Sequence, residues 1–279
     1  METEIAGLNV ERRGSGEPLV LLHGIGHRWQ AWTPLLDSLA RDFDVAAVDL
    51  PGFGCSPRLA GPITPDAVTA AAARVLDELG WSRPHVVGSS LGGWLGLELA
   101  RIGAVSSVTA LAPAGLWKDQ ARLERRLRFW FGLWVGGARH AGPLVALLRT
   151  RVGRTVALSG LFGKPWRIPG QIAVDDAHHL ATSAFDETFA ASAESGGFSG
   201  GRSIDVPVTV AWCSRDPLFR RRHQSLAELP PQTRTEYLRG CGHVPTWDDP
   251  PLLLELIRST VASGDARIAT RDDAPATIA

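Results

Sequence analysis

The sequence predicts an α/β fold, a mostly parallel sheet flanked by helices, with a helical insert after its fourth recognisable strand. Three observations predict it. Short, wholly apolar runs recur, too brief for helices and too uniform for strands with one wet face. Helical patterns of 10 to 15 residues separate them, the rhythm of parallel strands joined by crossovers. Between about Leu116 and Gly201 the rhythm stops, and it resumes at Val206.

Taken in order, Pro18 to Leu22 (PLVLL) reads as a buried strand broken by His23-Gly24-Ile25-Gly26. Trp29 to Arg41 has helical spacing, with Trp32, Leu35, Leu36 and Leu39 on one face. Val45 to Val48 is a second strand, ended by Asp49-Leu50-Pro51-Gly52-Phe53-Gly54. Thr64 to Leu79 is an Ala-rich helix opened by a cap residue and a proline. His85 to Gly88 is a third strand, Leu91 to Arg101 the helix after it, and Val105 to Leu111 a fourth strand. Beyond the insert come strands at Val206 to Trp212 and Thr233 to Leu238, then a helix from Pro251 to Val261. This divides the chain into a core (1–115 and 203–262), a helical cap (116–202) and a polar tail (263–279) expected to be disordered.

Composition narrows the function classes. Lys+Arg and Asp+Glu are both 29, so net charge gives no pull toward nucleic acid, and no nucleic-acid partner is expected. No apolar stretch reaches the ~18 residues of a membrane span. Cys55, Cys213 and Cys241 are scattered and odd in number, which reads as reduced thiols rather than a disulfide framework. Met1-Glu2-Thr3-Glu4 lacks the basic start of a signal peptide, so a cytoplasmic location is expected. Nothing points to an oligomeric state beyond monomer or homodimer.

Gly88-Ser89-Ser90-Leu91-Gly92 sits between a strand and a helix. That context suits a nucleophile elbow, in which a strained turn lifts the central side chain above the sheet. Glycine two residues before and after removes the collisions such a turn would cause. Ser90 is the central residue, and the backbone N–H of Leu91 opens the next helix where an oxyanion would form. A serine needs a base, and the base a carboxylate. Asp216 follows the strand ending at Trp212, and His243 lies in the Gly-rich loop after Leu238. The order Ser, acid, His and the placement at strand ends agree for all three.

These motifs together resemble the α/β-hydrolase fold family, over about residues 5 to 115 and 203 to 262. His23-Gly24-Ile25-Gly26 looks like its oxyanion loop, Asp216-Pro217 its acid turn and Gly240 to Asp248 its histidine loop. The resemblance implies Ser90, Asp216 and His243 as triad and the N–H groups of Ile25 and Leu91 as oxyanion hole, with no cofactor or metal required. Cys213 departs from the glycine common before the acid turn. A serine elbow argues against haloalkane dehalogenases and epoxide hydrolases, which use aspartate there, and the sole tyrosine, Tyr237, lies in a late strand. Hydrolysis of a carboxylic ester, or similar acyl bond, of a small, largely apolar substrate is the first expectation. A carbon–carbon hydrolase of ring-cleavage diketones is the alternative. From another class come a non-hydrolytic lyase or cyclase and a binding protein on the same fold.

The insert from Lys118 to Arg167 holds eleven Lys and Arg against two acids, a local net charge of +9, interleaved with aromatics. Either its aromatic face lines the pocket while arginines stay solvated, or it contacts an anionic partner or surface. Gly24, Ser89, Trp130, Trp134 and Val244 are expected to touch substrate. Asp175-Asp176-Ala177-His178-His179 cannot converge on a metal, because helix neighbours point about 100° apart. Asp248 and Asp249 read as caps of the last helix.

Overall fold

The computed structural model describes residues 2–118, 120–139 and 141–272. Eight strands form one sheet: β1 (Glu2–Ile5), β2 (Leu8–Arg13), β3 (Glu17–Leu22), β4 (Phe43–Val48), β5 (His85–Ser89), β6 (Ser107–Leu111), β7 (Val208–Cys213) and β8 (Arg234–Leu238). Their spatial order is β1-β2-β4-β3-β5-β6-β7-β8. The pairs β1–β2 and β2–β4 are antiparallel and all others parallel. The order reverses between β3 and β5, so the loops leaving their carboxyl ends diverge and open a crevice there.

The apolar runs are explained by burial on both faces. Val20, Leu22, Ala46 and Val48 enter one core with α2 (Pro65–Glu78) and α3 (Leu91–Arg101). Leu19, Leu21, Val45 and Ala47 enter the other with α1 (Thr33–Leu39) and α9 (Pro250–Asp272). Alternate side chains feed opposite cores, so every position must be apolar. Thr64 caps α2 through its hydroxyl, which accepts from the Ala67 N–H at 3.2 Å.

Between β6 and β7 the described residues hold helices and no sheet strand: α4 (Gln120–Arg139), α5 (Ala141–Arg149), α6 (Arg151–Leu158), α7 (Gly170–Thr182) and α8 (Phe185–Glu194). Leu148, Phe162, Ile168, Ala173, Val174 and Ala177 bury a small core of their own against Val244.

Two expectations are corrected. The sequence reading has no strand before Pro18, but β1 and β2 form a hairpin at the sheet edge, turned by Ala6-Gly7 with φ +51° and +78°. The tail, expected to be disordered from residue 263, continues α9 to Asp272, while 273–279 lie outside the described residues. The helix continues because Gly264 brings it against the sheet: a Cβ there would stand 3.0 Å from His85 and 3.2 Å from Ser107. Asp265 then lies 3.2 Å from His85 Nε2, beside Glu17 at 3.0 Å. No described helix is long and apolar enough to cross a membrane.

Candidate active site

Ser90 follows β5 and precedes α3 with φ +52° and ψ −113°, a conformation L-residues rarely adopt. The turn is held by hydrogen bonds to its backbone: Ser90 N–H donates to Leu111 O at 2.9 Å, and Ala114 and Trp94 N–H donate to Ser90 O. A Cβ at Gly88 would overlap the Gly92 carbonyl, and one at Gly92 the Leu22 carbonyl. Gly88 is therefore demanded by the turn folding back on itself, and Gly92 by its close passage over β3.

His243 Nε2 lies 2.9 Å from Ser90 Oγ, and His243 Nδ1 lies 2.8 Å from Asp216 Oδ2. The other carboxylate oxygen, Oδ1, accepts the N–H groups of Leu218 (2.7 Å) and Phe219 (3.1 Å). Asp216 is thus oriented by the first turn after β7, and the edge of the Phe219 ring packs against His243. All three side chains are buried. The loop after β3 lies against Ser90: a Cβ at Gly24 would stand 3.1 Å from Ser90 Cβ. The Leu91 N–H, at the first position of α3, has no acceptor inside the helix.

Two apolar cavities meet at Ser90. One, of about 540 Å³, runs under the cap between Ile25, Leu91, Trp94, Trp117, Leu127, Phe131, Phe189 and Phe219. The other, of about 460 Å³, lies beside His243 and is lined by Gly24, Ile25, His27, Phe131, Trp134 and Val244. A third, of about 720 Å³, shares His27, Trp134, Leu161 and Leu180 with the second and extends outward between α4, α5, α6 and α7.

Of the residues expected at the site, the structure brings together Ser90, Asp216, His243, Ile25, Leu91, Gly24, Trp134 and Val244. Trp130 and Ser89 are corrected. Trp130 is 37% exposed, its ring tilted against that of Trp134, and it lines neither cavity at Ser90, because the inward stripe of α4 is Leu127, Phe131, Trp134 and Val135. Ser89 is buried at the end of β5 opposite Leu111 and is absent from the walls of these cavities.

The sequence reading missed three residues. His27 lines the cavity, and burial, followed by the nearby charges of His23, His243 and Arg28, pushes its pKa down to about 3. Asp248, read as a helix cap, instead clamps cap to core: its carboxylate accepts from Gly163 (2.8 Å), Lys164 (2.6 Å) and Gly242 (2.7 Å) N–H groups. Asp249 does cap α9, accepting from Leu252 N–H at 3.4 Å. Arg28 pairs with Asp176 at 2.8 Å, giving the acids of the Asp175-to-His179 run a structural role and joining α7 to the core. Burial raises the Asp176 pKa against this pairing. Among the described residues, Glu17, His85 and Asp265 have the spacing of a metal group, but they sit at the opposite edge of the sheet, anchoring α9.

The model of the α/β-hydrolase fold family matches residues 17–250. The chain belongs to that family. An epoxide hydrolase, EphH, of Mycobacterium tuberculosis is 33% identical over 67% of this chain and 90% of its own length. The acetyltransferase component of the acetoin-cleaving system of Cupriavidus necator is 30% identical over 86% of this chain, which spans 63% of that protein. Among solved structures, naproxen esterase of Bacillus subtilis superposes with a TM-score of 0.72 at 19% identity, covering 93% of this chain and 90% of its own. The sequence relatives thus include a hydrolase and an acetyltransferase component, and the structural neighbour shares the fold.

Proposed function

We propose that the protein is a serine hydrolase that cleaves a carboxylic ester, or similar acyl bond, of a small, largely apolar substrate. The observation that carries this reading is the continuous relay from Ser90 Oγ through His243 to Asp216, mounted on a strained elbow where two apolar cavities meet. Ser90 Oγ attacks the carbonyl while His243 Nε2 takes its proton. Asp216 fixes the imidazole orientation and balances the positive charge that forms. The tetrahedral oxyanion sits between the N–H groups of Ile25 and Leu91. His243 returns the proton to the leaving alkoxide, and water, activated by the same imidazole, releases the acid.

The relative named as an epoxide hydrolase raises a different chemistry. Serine at the elbow does not favour it, because epoxide hydrolases of this fold attack with aspartate. Tyr237, the sole tyrosine, is engaged with Gln224 at 3.0 Å on β8. Cavity walls of aliphatic and aromatic side chains favour an uncharged acyl group over an anionic diketone. Residues 1–115 and 203–262 serve in this reading as catalytic core, and 116–202 as the cap that sets specificity.

A fluorophosphonate probe tests it. Wild type should be labelled and Ser90→Ala should not, and labelled enzyme should lose turnover of p-nitrophenyl esters. Asp216→Asn should lower kcat by about 10⁴-fold through loss of imidazole orientation. An unlabelled wild type ends the serine reading. Turnover of a vinylogous diketone or of styrene oxide in preference to esters redirects it to carbon–carbon or epoxide chemistry. Labelling with no hydrolysis of any of these favours the non-hydrolytic class.

A further inference from the structure

We propose that the outer face of α4, α5 and α6 docks on an anionic lipid bilayer, from which apolar substrate reaches Ser90 without crossing water. Of the nine large hydrophobic side chains exposed among the described residues, seven lie between Phe129 and Trp166. Val152 is 75% exposed, Val156 68%, Phe129 63% and Leu133 54%. Phe129 and Leu133 share one stripe of α4 at i,i+4 spacing, as do Val152 and Val156 on α6. Scattered single exposures need no partner, but a cluster on neighbouring helices does.

Charge selects the partner. Arg125 stands on the same stripe as Phe129, and Arg149 and Arg151 flank the junction of α5 and α6. All three are exposed and, among the described residues, face no acid. Arg139, by contrast, is engaged with Asp186. Exposed apolar side chains beside exposed arginines match the headgroup boundary of an anionic leaflet, where each arginine strengthens binding about fivefold.

The interior supplies the second half. α4, α5 and α6 wall the outward-running apolar cavity, and Leu133 belongs both to its lining and to the exposed surface. Its inner end shares His27 and Trp134 with the cavity that touches Ser90 and His243. In this proposal substrate passes from the docking face through the outer cavity and past these shared walls to Ser90. This path rests on the serine-hydrolase reading; the docking face does not.

Sedimentation with vesicles of phosphatidylcholine, with and without 30% phosphatidylglycerol, tests the docking, using full-length wild type and Ser90→Ala. Both should bind the anionic vesicles alone. Arg149→Gln with Arg151→Gln should weaken binding about 25-fold. Val152→Glu with Val156→Glu should weaken it at least tenfold, with melting temperature and turnover of p-nitrophenyl acetate unchanged. Absence of binding to anionic vesicles at low salt overturns the proposal. So does equal binding to neutral vesicles, or a wild-type dimer that the Val152/Val156 double variant makes monomeric while neither form binds lipid. Vesicle binding without turnover of any ester would instead sink the catalytic reading and leave the docking face standing.

Discussion

At the scale of single residues, the site depends on groups that are small, strained or neutral. Gly92 lies beneath the β3 carbonyl of Leu22, with no room for a methyl group. Gly92→Ala must shift the elbow or β3, and the expected loss is about 3 kcal/mol or more, a drop of roughly 6–12 °C in Tm for a chain of this size. Calorimetry checks it, and a drop under about 2 °C would mean that the turn tolerates the methyl. His27 gives a pH prediction. Its folded pKa of about 3 lies below the ordinary value of 6.5, so the unfolded chain binds the proton more readily. Stability from its neutral burial is complete above pH 6.5 and falls as pH drops toward 3, by up to about 1.4 kcal/mol per pH unit. Urea midpoints between pH 7 and pH 4 should fall less steeply in His27→Gln than in wild type; parallel slopes would remove His27 as the cause. Neither His27 nor Asp248 was legible in the sequence. A histidine five residues into a loop and an aspartate in an Asp-Asp-Pro-Pro run carry no local sign of the distant groups that bury them. Ser90, Asp216 and His243 were legible because their constraints are local: glycine spacing, strand ends and chain order.

At the scale of elements, α4 shows that aromatic size does not tell which side chains of a helix turn inward. Its tryptophans drew attention by size, yet the inward stripe follows the spacing of Leu127, Phe131, Trp134 and Val135. The ring of Phe131 packs edge-on to Phe185 and Phe189, and Trp130 lies outside that cluster. Phe131→Ala should lower kcat/KM for an apolar ester by roughly tenfold or more, as expected for losing a buried aromatic contact. Trp130→Ala should stay within twofold on the same dissolved ester. Steady-state kinetics decide it, and equal losses would put Trp130 back at the site. The hairpin β1–β2 escaped the sequence reading for a related reason. The strands of this hairpin carry polar and charged positions, as in Leu8-Asn9-Val10-Glu11-Arg12-Arg13 of β2, and lack the continuous apolar run by which β3 to β7 were recognised. The central strands announce themselves because both of their faces are covered.

At the scale of the whole molecule, the sheet separates the candidate site from the anchorage of α9. The candidate nucleophile, its acid and its histidine follow the carboxyl ends of β5, β7 and β8, with the cap above them. At the amino ends of β3, β5 and β6, α9 closes the opposite edge through Gly264 and Asp265 against His85, whose Nδ1 meets Ser107 Oγ at 2.8 Å. His85 begins the strand that Ser90 follows, so the two edges stand about 16 Å apart along it. A defect at the lower edge should reach the upper one only through global unfolding. Gly264→Leu tests this separation: its side chain would meet His85 and the Ser106 carbonyl, pushing the end of α9 from the sheet. The expected cost is about 2 kcal/mol, or 4–8 °C in Tm. Turnover of a short ester at 25 °C should stay within twofold, because α9 touches no wall of the cavities at Ser90. A variant with unchanged Tm would show that α9 beyond residue 263 contributes nothing to the fold. A large fall in kcat at unchanged Tm would show instead that strain at the anchored edge is transmitted along β5 to the elbow.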